Sequence, residues 1–234
     1  SGVALQDYPG NVGYNADALV ITLNSFSTTA DLHTQVNSIS MTSLINGTPL
    51  TGGTNLFQTD INELLPRPAV MPDSTPGGPM WMVAAANNGG QSSGTANTVD
   101  VLEMTNVLST APTFTTTTLA VNPYSLAVSP LQPNGQAITS AGFTDSRIMK
   151  TAERNGVLVA TQIVSNAAGD LDNARWYAID VSSGTPGLQQ QGDVSGGSGV
   201  YDTYPGIDIN AQGDIGMSFM QSGTAPGQFL SVYV

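Results

Sequence analysis

The chain has 234 residues, with 5 Lys and Arg against 17 Asp and Glu for a formal net charge of −12, so phosphate backbones and anionic membrane surfaces would repel it. It has no cysteine, which excludes disulfides and thiolate metal sites. Only 9% of the residues are charged, while Gly, Pro, Ser, Thr and Asn abound, a balance that suits short strands and turns and disfavours long helices.

The first element is a hairpin over Tyr8 to Ser25, YPGNVGYNADALVITLNS, with a turn at Asn15-Ala16 and then Leu19, Ile21 and Leu23 alternating with small or polar residues. This period of two marks a half-buried antiparallel pair. A strand-like run follows from His33 to Leu44, with Asn46-Gly47 supplying a two-residue turn, and Thr54 to Gln58 makes a fourth strand. The second unit starts at Leu64-Leu65-Pro66-Arg67-Pro68 and crosses a Pro/Gly loop to Met80–Ala86, where Trp81, Val83 and Ala85 share one face. Strands at Thr98–Thr105 and Thr113–Val121 complete it. In the third unit Arg147–Glu153, the turn Asn155-Gly156 and Val157–Val164 form a hairpin, followed by strands at Ala174–Val181 and Leu188–Asp193. The fourth unit opens on Tyr204 to Ser222, YPGIDINAQGDIGMSFMQS, a near copy of the first hairpin. It ends on Phe229–Val234, which reads as a strand cut off at its last residue, and the chain as an excerpt of a longer protein.

Equivalent second-strand positions, Ile21, Val83, Val159 and Met217, are 62, 76 and 58 residues apart. Four-stranded units recurring at that distance predict an all-β domain of β-propeller type, or an arc of one, with four antiparallel blades over about 7–61, 62–122, 123–194 and 195–234. A β-sandwich or a parallel β-solenoid is the alternative. The solenoid would need a shorter, stricter period, and a sandwich leaves the copied hairpin unexplained.

Several segments together resemble a family of large exported bacterial β-propeller proteins, mostly hypothetical ones. They are Asp7-Tyr8-Pro9 with Asp17-Ala18; Asp145-Ser146-Arg147-Ile148-Met149 with Arg154-Asn155-Gly156; Arg175-Trp176-Tyr177 with Gln190-Gln191-Gly192; and Gly206-Ile207-Asp208-Ile209 with Gly213-Asp214-Ile215. The resemblance implies the middle blades of a larger ring and an exported protein, but no reaction. Where family members carry a His-Thr pair, this chain has Ala160-Thr161-Gln162-Ile163, so any role of that His is absent.

A Ser-His-Asp hydrolase has little to draw on, because His33 is the only histidine and no Gly-x-Ser-x-Gly elbow exists. No Gly-rich loop precedes a helix, which leaves nucleotide binding without a motif. Sialidase-like glycosidase chemistry would draw on Arg67, Arg147 and Arg175 with Tyr177 and one of Glu63, Glu103 or Glu153, although the Ser-x-Asp-x-Gly-x-x-Trp turn of such blades is missing. The bland reading pairs Arg147, Lys150, Arg154 and Arg175 with nearby Asp145, Glu153 and Asp180, and stacks Arg175 on Trp176. Calcium would use Asp170, Asp172 and Asn173, in a segment that otherwise reads as a solvated loop without the twelve-residue ligand pattern. Trp81 and Trp176 read as core or inter-blade packing.

No apolar run approaches the roughly 20 residues of a membrane-spanning helix, and the opening SGVALQ is not a signal peptide. The expected function is a structural or adhesive scaffold, secreted or on the cell surface, meeting a protein or glycan through loops near Pro72–Pro79, Asn87–Asn97 and Asn122–Gly135. The alternative is the glycan-processing enzyme. An open arc exposes apolar faces, so self-association or flanking chain is expected.

Overall fold

A computed structural model describes residues 6–7, 11–26, 33–63, 65–85, 95–138 and 146–234. Tyr8, Pro9, most of the loop expected at Asn87–Asn97, and Asp145 lie outside the described residues. Among the described residues the chain is all-β, with antiparallel sheets and one short helix.

In the first meander, β1 (Gln6–Asp7) and β2 (Asn11–Tyr14) both pair with β3 (Ala18–Phe26), which pairs with β4 (His33–Ser40), and β4 with β5 (Leu56–Ile61). The strand expected through Leu44 stops at Ser40, and α1 (Met41–Ile45) follows. Ser40 caps this helix, its hydroxyl accepting from the Ser43 N–H at 3.3 Å. Asn46-Gly47 therefore ends a helix instead of turning a hairpin, with Gly47 at φ +64°. Met41 and Leu44 are three residues apart, a helical spacing that suited a turn of helix better than a strand.

The second meander runs β6 (Arg67–Pro68), β7 (Met80–Ala85), β8 (Thr95–Thr105) and β9 (Thr113–Ser125). All six residues of β7 are buried, because this strand is covered on both faces. The third comprises β10 (Ile148–Arg154), β11 (Val157–Ser165), β12 (Asp172–Asp180) and β13 (Gly187–Val194). Its hairpin turns at Asn155 and Gly156 with φ of 52° and 79°, the two left-handed residues that such a tight turn requires. The fourth has three strands, β14 (Val200–Ile209), β15 (Ile215–Gly223) and β16 (Ser231–Tyr233). The pair Ser125 with Ser165 joins the second and third meanders into one eight-stranded sheet.

The first strands of successive meanders run side by side. Tyr14, Val70 and Ala152 form parallel bridges, with N–H···O bonds from Tyr14 to Ala69 (3.0 Å), Met71 to Tyr14 (2.9 Å), Val70 to Thr151 (3.1 Å) and Glu153 to Val70 (3.0 Å). At this seam a Cβ on Gly13 would sit 2.4 Å from the Ala69 carbonyl oxygen and 2.6 Å from Pro68 carbonyl atoms. The same crowding explains why β3 buries its small residues Ala18 and Val20 completely, while Leu19, Ile21 and Leu23 lie half-buried on the other face.

Threonine hydroxyls lock neighbouring meanders together. Thr22 donates to Pro66 O (2.9 Å), Thr151 to Pro68 O (2.9 Å) and Thr161 to Pro205 O (3.0 Å), each worth about 1 kcal/mol net. Two of these prolines follow non-glycine residues in the left-handed region, Leu65 at φ 47° and Tyr204 at φ 48°. The main apolar core lies among the first three meanders, around Met80, Met82, Leu102, Leu158 and Tyr177. A second cluster joins Ala152, Val159 and Ala178 to Ile207 and Ile209 across the third and fourth. No closed ring forms among the described residues.

Arg154 and Arg175 find carboxylate partners other than the nearby Glu153 and Asp180 expected. Arg154 bridges Asp73 at 2.8 Å and Arg175 bridges Asp193 at 2.6 Å. Glu153 and Asp180 instead accept from Gly156 N–H and from Ser182. A strand sends adjacent side chains to opposite faces, so Arg175 does not stack on Trp176; its guanidinium sits 6.0 Å from the Tyr124 ring centroid. Trp81 is buried in the main core and Trp176 packs half-buried on the second cluster, where Gly192 leaves room for its indole.

Candidate functional site

A cleft of about 890 Å³ opens between the third and fourth meanders. Met149 and Lys150 of β10 border one side, Tyr204 and Asp208 of β14 and Met217 and Ser218 of β15 the other. Its shape follows from an irregularity in β14: the register with β15 shifts between Thr203 and Gly206, and Tyr204 takes φ 48° there. A bulge of this kind re-aims a side chain that regular alternation would place elsewhere. Gly206 lets Ser218 come close, since a Cβ at that position would lie 3.2 Å from the serine oxygen.

Charge in the cleft differs from that of the chain as a whole. Burial draws the Lys150 amine below its ordinary pKa, Asp208 pulls it back up, and the nearby Arg67 pushes it further down. Arg67 itself donates from Nε to Ile148 O at 3.0 Å. Asp208 Oδ1 accepts the Ile209 N–H at 2.8 Å. The cleft thus combines an aromatic ring and two thioethers with an amine, a carboxylate and a hydroxyl, which can hold a flat apolar ligand face while its polar edges hydrogen-bond.

The set expected for sialidase-like chemistry is not brought together here. Arg67 lies on the first strand of the second meander, Arg147 just before β10, and Arg175 and Tyr177 on the third strand of the third meander. Arg175 donates to both carboxylate oxygens of Asp193 (2.6 and 2.8 Å) and to Asn122 O (2.7 Å). Tyr177 is fully buried, its hydroxyl donating to Gln162 Oε1 at 2.6 Å while Gln162 Nε2 donates to Ser146 O at 2.6 Å. Burial raises the Tyr177 phenol far above its usual value, and the neighbouring Arg175 charge offsets only part of that rise. His33 lies 3.6 Å from Asp60 at the start of β4.

Glu103 and Glu153 instead share a second cleft of about 420 Å³ with Asp73, where the loop Pro72–Pro79 meets the β10–β11 turn. Burial raises the Glu153 pKa, the Gly156 N–H at 2.8 Å lowers it, and Asp73 raises it again. Glu63 does not border either cleft.

The trio Asp170, Asp172 and Asn173 does not converge either. Asp170 is exposed and accepts from Asn166 Nδ2 at 2.8 Å. Asp172 and Asn173 begin β12, which puts their side chains on opposite faces of the sheet. The segment is thus not the solvated loop expected, and Asp172 is completely buried. Among the described residues no three His, Asp or Glu side chains gather around one point where an ion could sit.

Sequence reasoning singled out Lys150 only as one of a basic cluster, and Tyr204 only as part of the repeated Tyr-Pro-Gly. The signal that could have found the cleft is a bulky residue ahead of proline where the copied hairpin begins its inner strand. Among the described residues no helix is long and apolar enough to cross a membrane. No family model, no curated protein and no solved structure matches this chain.

Proposed function

We propose that the chain is a β-propeller-type scaffold, an arc of four blade-like meanders from an exported or cell-surface protein, that binds a carbohydrate in the cleft between the third and fourth. Support for the propeller reading comes from the succession of antiparallel meanders whose first strands lie parallel and bonded through Tyr14, Val70 and Ala152. Self-association, or further chain covering the exposed apolar residues Phe229, Val232 and Val234, belongs to the same reading.

One observation carries the ligand reading: the bulge that holds Tyr204 at φ 48° beside Lys150, Asp208 and Ser218. A non-glycine residue ahead of proline in this region costs about 1–2 kcal/mol, a strain that tends to persist where function needs the side chain. Sugar rings stack their C–H faces on an aromatic ring and present hydroxyls to short polar side chains. A protein partner at the same cleft is the other outcome of the test.

The experiment is an oligosaccharide array of neutral and uronic-acid-containing glycans, with hits measured by calorimetry against the parent chain and Tyr204→Gly. Glycine relieves the strain and loses the ring, so the two effects on stability oppose each other and the variant melts within a few degrees of the parent while glycan affinity falls at least tenfold. Absence of any glycan hit, or equal affinity in the variant, would sink the carbohydrate reading and leave the scaffold reading to a protein partner.

A further inference from the structure

A pair of carboxylates is enclosed at the same interface, separate from the cleft. Asp172 at the start of β12 and Asp202 near the start of β14 are both 0% exposed. Asp172 lies directly opposite Ser165 of β11, so the two side chains project from the same face, the one on which Val159 and Ala178 meet Ile207 and Ile209. Asp202 pairs with Gln221, Ile207 with Met217 and Ile209 with Ile215. Alternation along β15 therefore puts Asp202 on the face of Ile207 and Ile209, looking back at Asp172.

The polar groups of this pair are unequally satisfied. Asp202 accepts from Gln221 Nε2 at 2.8 Å and from Gly196 N–H at 2.6 Å. Asp172 Oδ1 accepts from Val128 N–H at 2.7 Å. Asp172 Oδ2 and Ser165 Oγ, both buried, have no hydrogen-bond partner among the described residues. Burial, opposed by the Val128 hydrogen bond and reinforced by the Asp202 charge, pushes the Asp172 pKa up to about 7. Two carboxylates confined together without a counter-charge are costly, and native interiors resolve such a cost by pairing or by a bound cation.

We propose that Asp172, Asp202 and Ser165 hold a hard divalent cation of the Ca²⁺ class between the third and fourth meanders. The donors are all oxygens, the composition that selects Ca²⁺ over softer metals, and two carboxylates balance its charge. Val128 N–H, Gly196 N–H and Gln221 Nε2 orient the carboxylates from outside, as outer partners do in metal sites. Of the residues that sequence suggested for calcium only Asp172 takes part; its companions come from other strands, and water completes the coordination shell.

The test is thermal unfolding of the full chain at pH 7.5 after chelation, with and without added CaCl₂ or MgCl₂, together with Tb³⁺ luminescence excited through tyrosine. Tyr201, whose phenol feels the Asp172 charge, is the nearby sensitiser. Ca²⁺ at 100 times its Kd is expected to raise Tm by about 5–10 °C, Mg²⁺ less, and Ca²⁺ to quench the Tb³⁺ signal by displacement. Asp172→Asn and Ser165→Ala lose or weaken both responses, while the exposed Asp170→Asn keeps them. Identical melting in chelator and in CaCl₂ would overturn the proposal. So would a Tm that climbs as pH falls through 7 irrespective of Ca²⁺, since a proton would then fill the gap.

Discussion

Replacing Gly13 with alanine tests the seam between the first and second meanders. Gly13 is buried in β2, and the added methyl would meet the Ala69 oxygen at 2.4 Å and Pro68 carbonyl atoms at 2.6 Å. These are backbone atoms, with no flexible side chain to give way. Restoring ordinary contact needs about 1 Å of separation between two strands held by the Tyr14–Ala69 and Met71–Tyr14 hydrogen bonds, at 3.0 and 2.9 Å. Losing or stretching both costs about 1 kcal/mol each, and overpacking adds about 1–3 kcal/mol. A total of about 3–5 kcal/mol is a large share of the roughly 5–15 kcal/mol that stabilises a typical domain, and lowers Tm by about 6–20 °C at this chain length. Gly216→Ala is the control, because a Cβ there meets nothing within 4 Å, and it should change stability by less than about 1 kcal/mol. Paired urea and thermal melts of the two variants decide the matter. Gly13→Ala melting within 1–2 °C of the parent would refute the close approach of the inner strands.

Thr161→Val removes the 3.0 Å bond to Pro205 O at a fully buried position, leaving a carbonyl unpaired; urea titration should show a loss of about 1–3 kcal/mol. Thr22→Val, at the 2.9 Å bond to Pro66 O, should lose a similar amount, and the double variant should sum the two because they lie at different interfaces. Glu153 carries a pH signature: its folded pKa lies above the ordinary 4.5 through burial, so the folded state binds the proton more tightly than the unfolded chain does. Unfolding free energy should therefore fall as pH rises from about 4.5 through the folded value. Glu153→Gln, which still accepts the Gly156 N–H, should flatten that part of the profile.

What the sequence made legible was whatever depends on neighbours along the chain. The Asn155-Gly156 turn, the apolar run of Val157–Val164 and the copied hairpin all report local backbone preferences, and the described strands formed there within a few residues of expectation. The helix Met41–Ile45 is a single turn fixed by the Ser40 cap, and the Met41–Leu44 spacing was too short a signal to set it apart from the strand before it. The partners of Arg154 and Arg175 were not legible at all. Arg154 reaches Asp73 and Arg175 reaches Asp193, choices made by how the meanders dock. The same holds for Asp172, which reads as a loop acid beside Asp170 and Gly169 but opens a strand and faces an interior that no local pattern describes. The cleft was visible only as the odd placement of a tyrosine before proline.

The confinement of the basic residues also bears on how the folded chain meets a protease that cuts after Lys or Arg. Only five such bonds exist. Arg67 is followed by Pro68, a bond such enzymes avoid. Arg147 and Arg175 are at most 9% exposed, Lys150 is half-buried within β10, and Arg154 is tied to Asp73 ahead of a tight turn. Digestion needs an extended, accessible stretch of several residues around the cut, which Lys150, Arg154 and Arg175 do not offer without opening a meander. Tryptic cleavage after those three residues should therefore track unfolding.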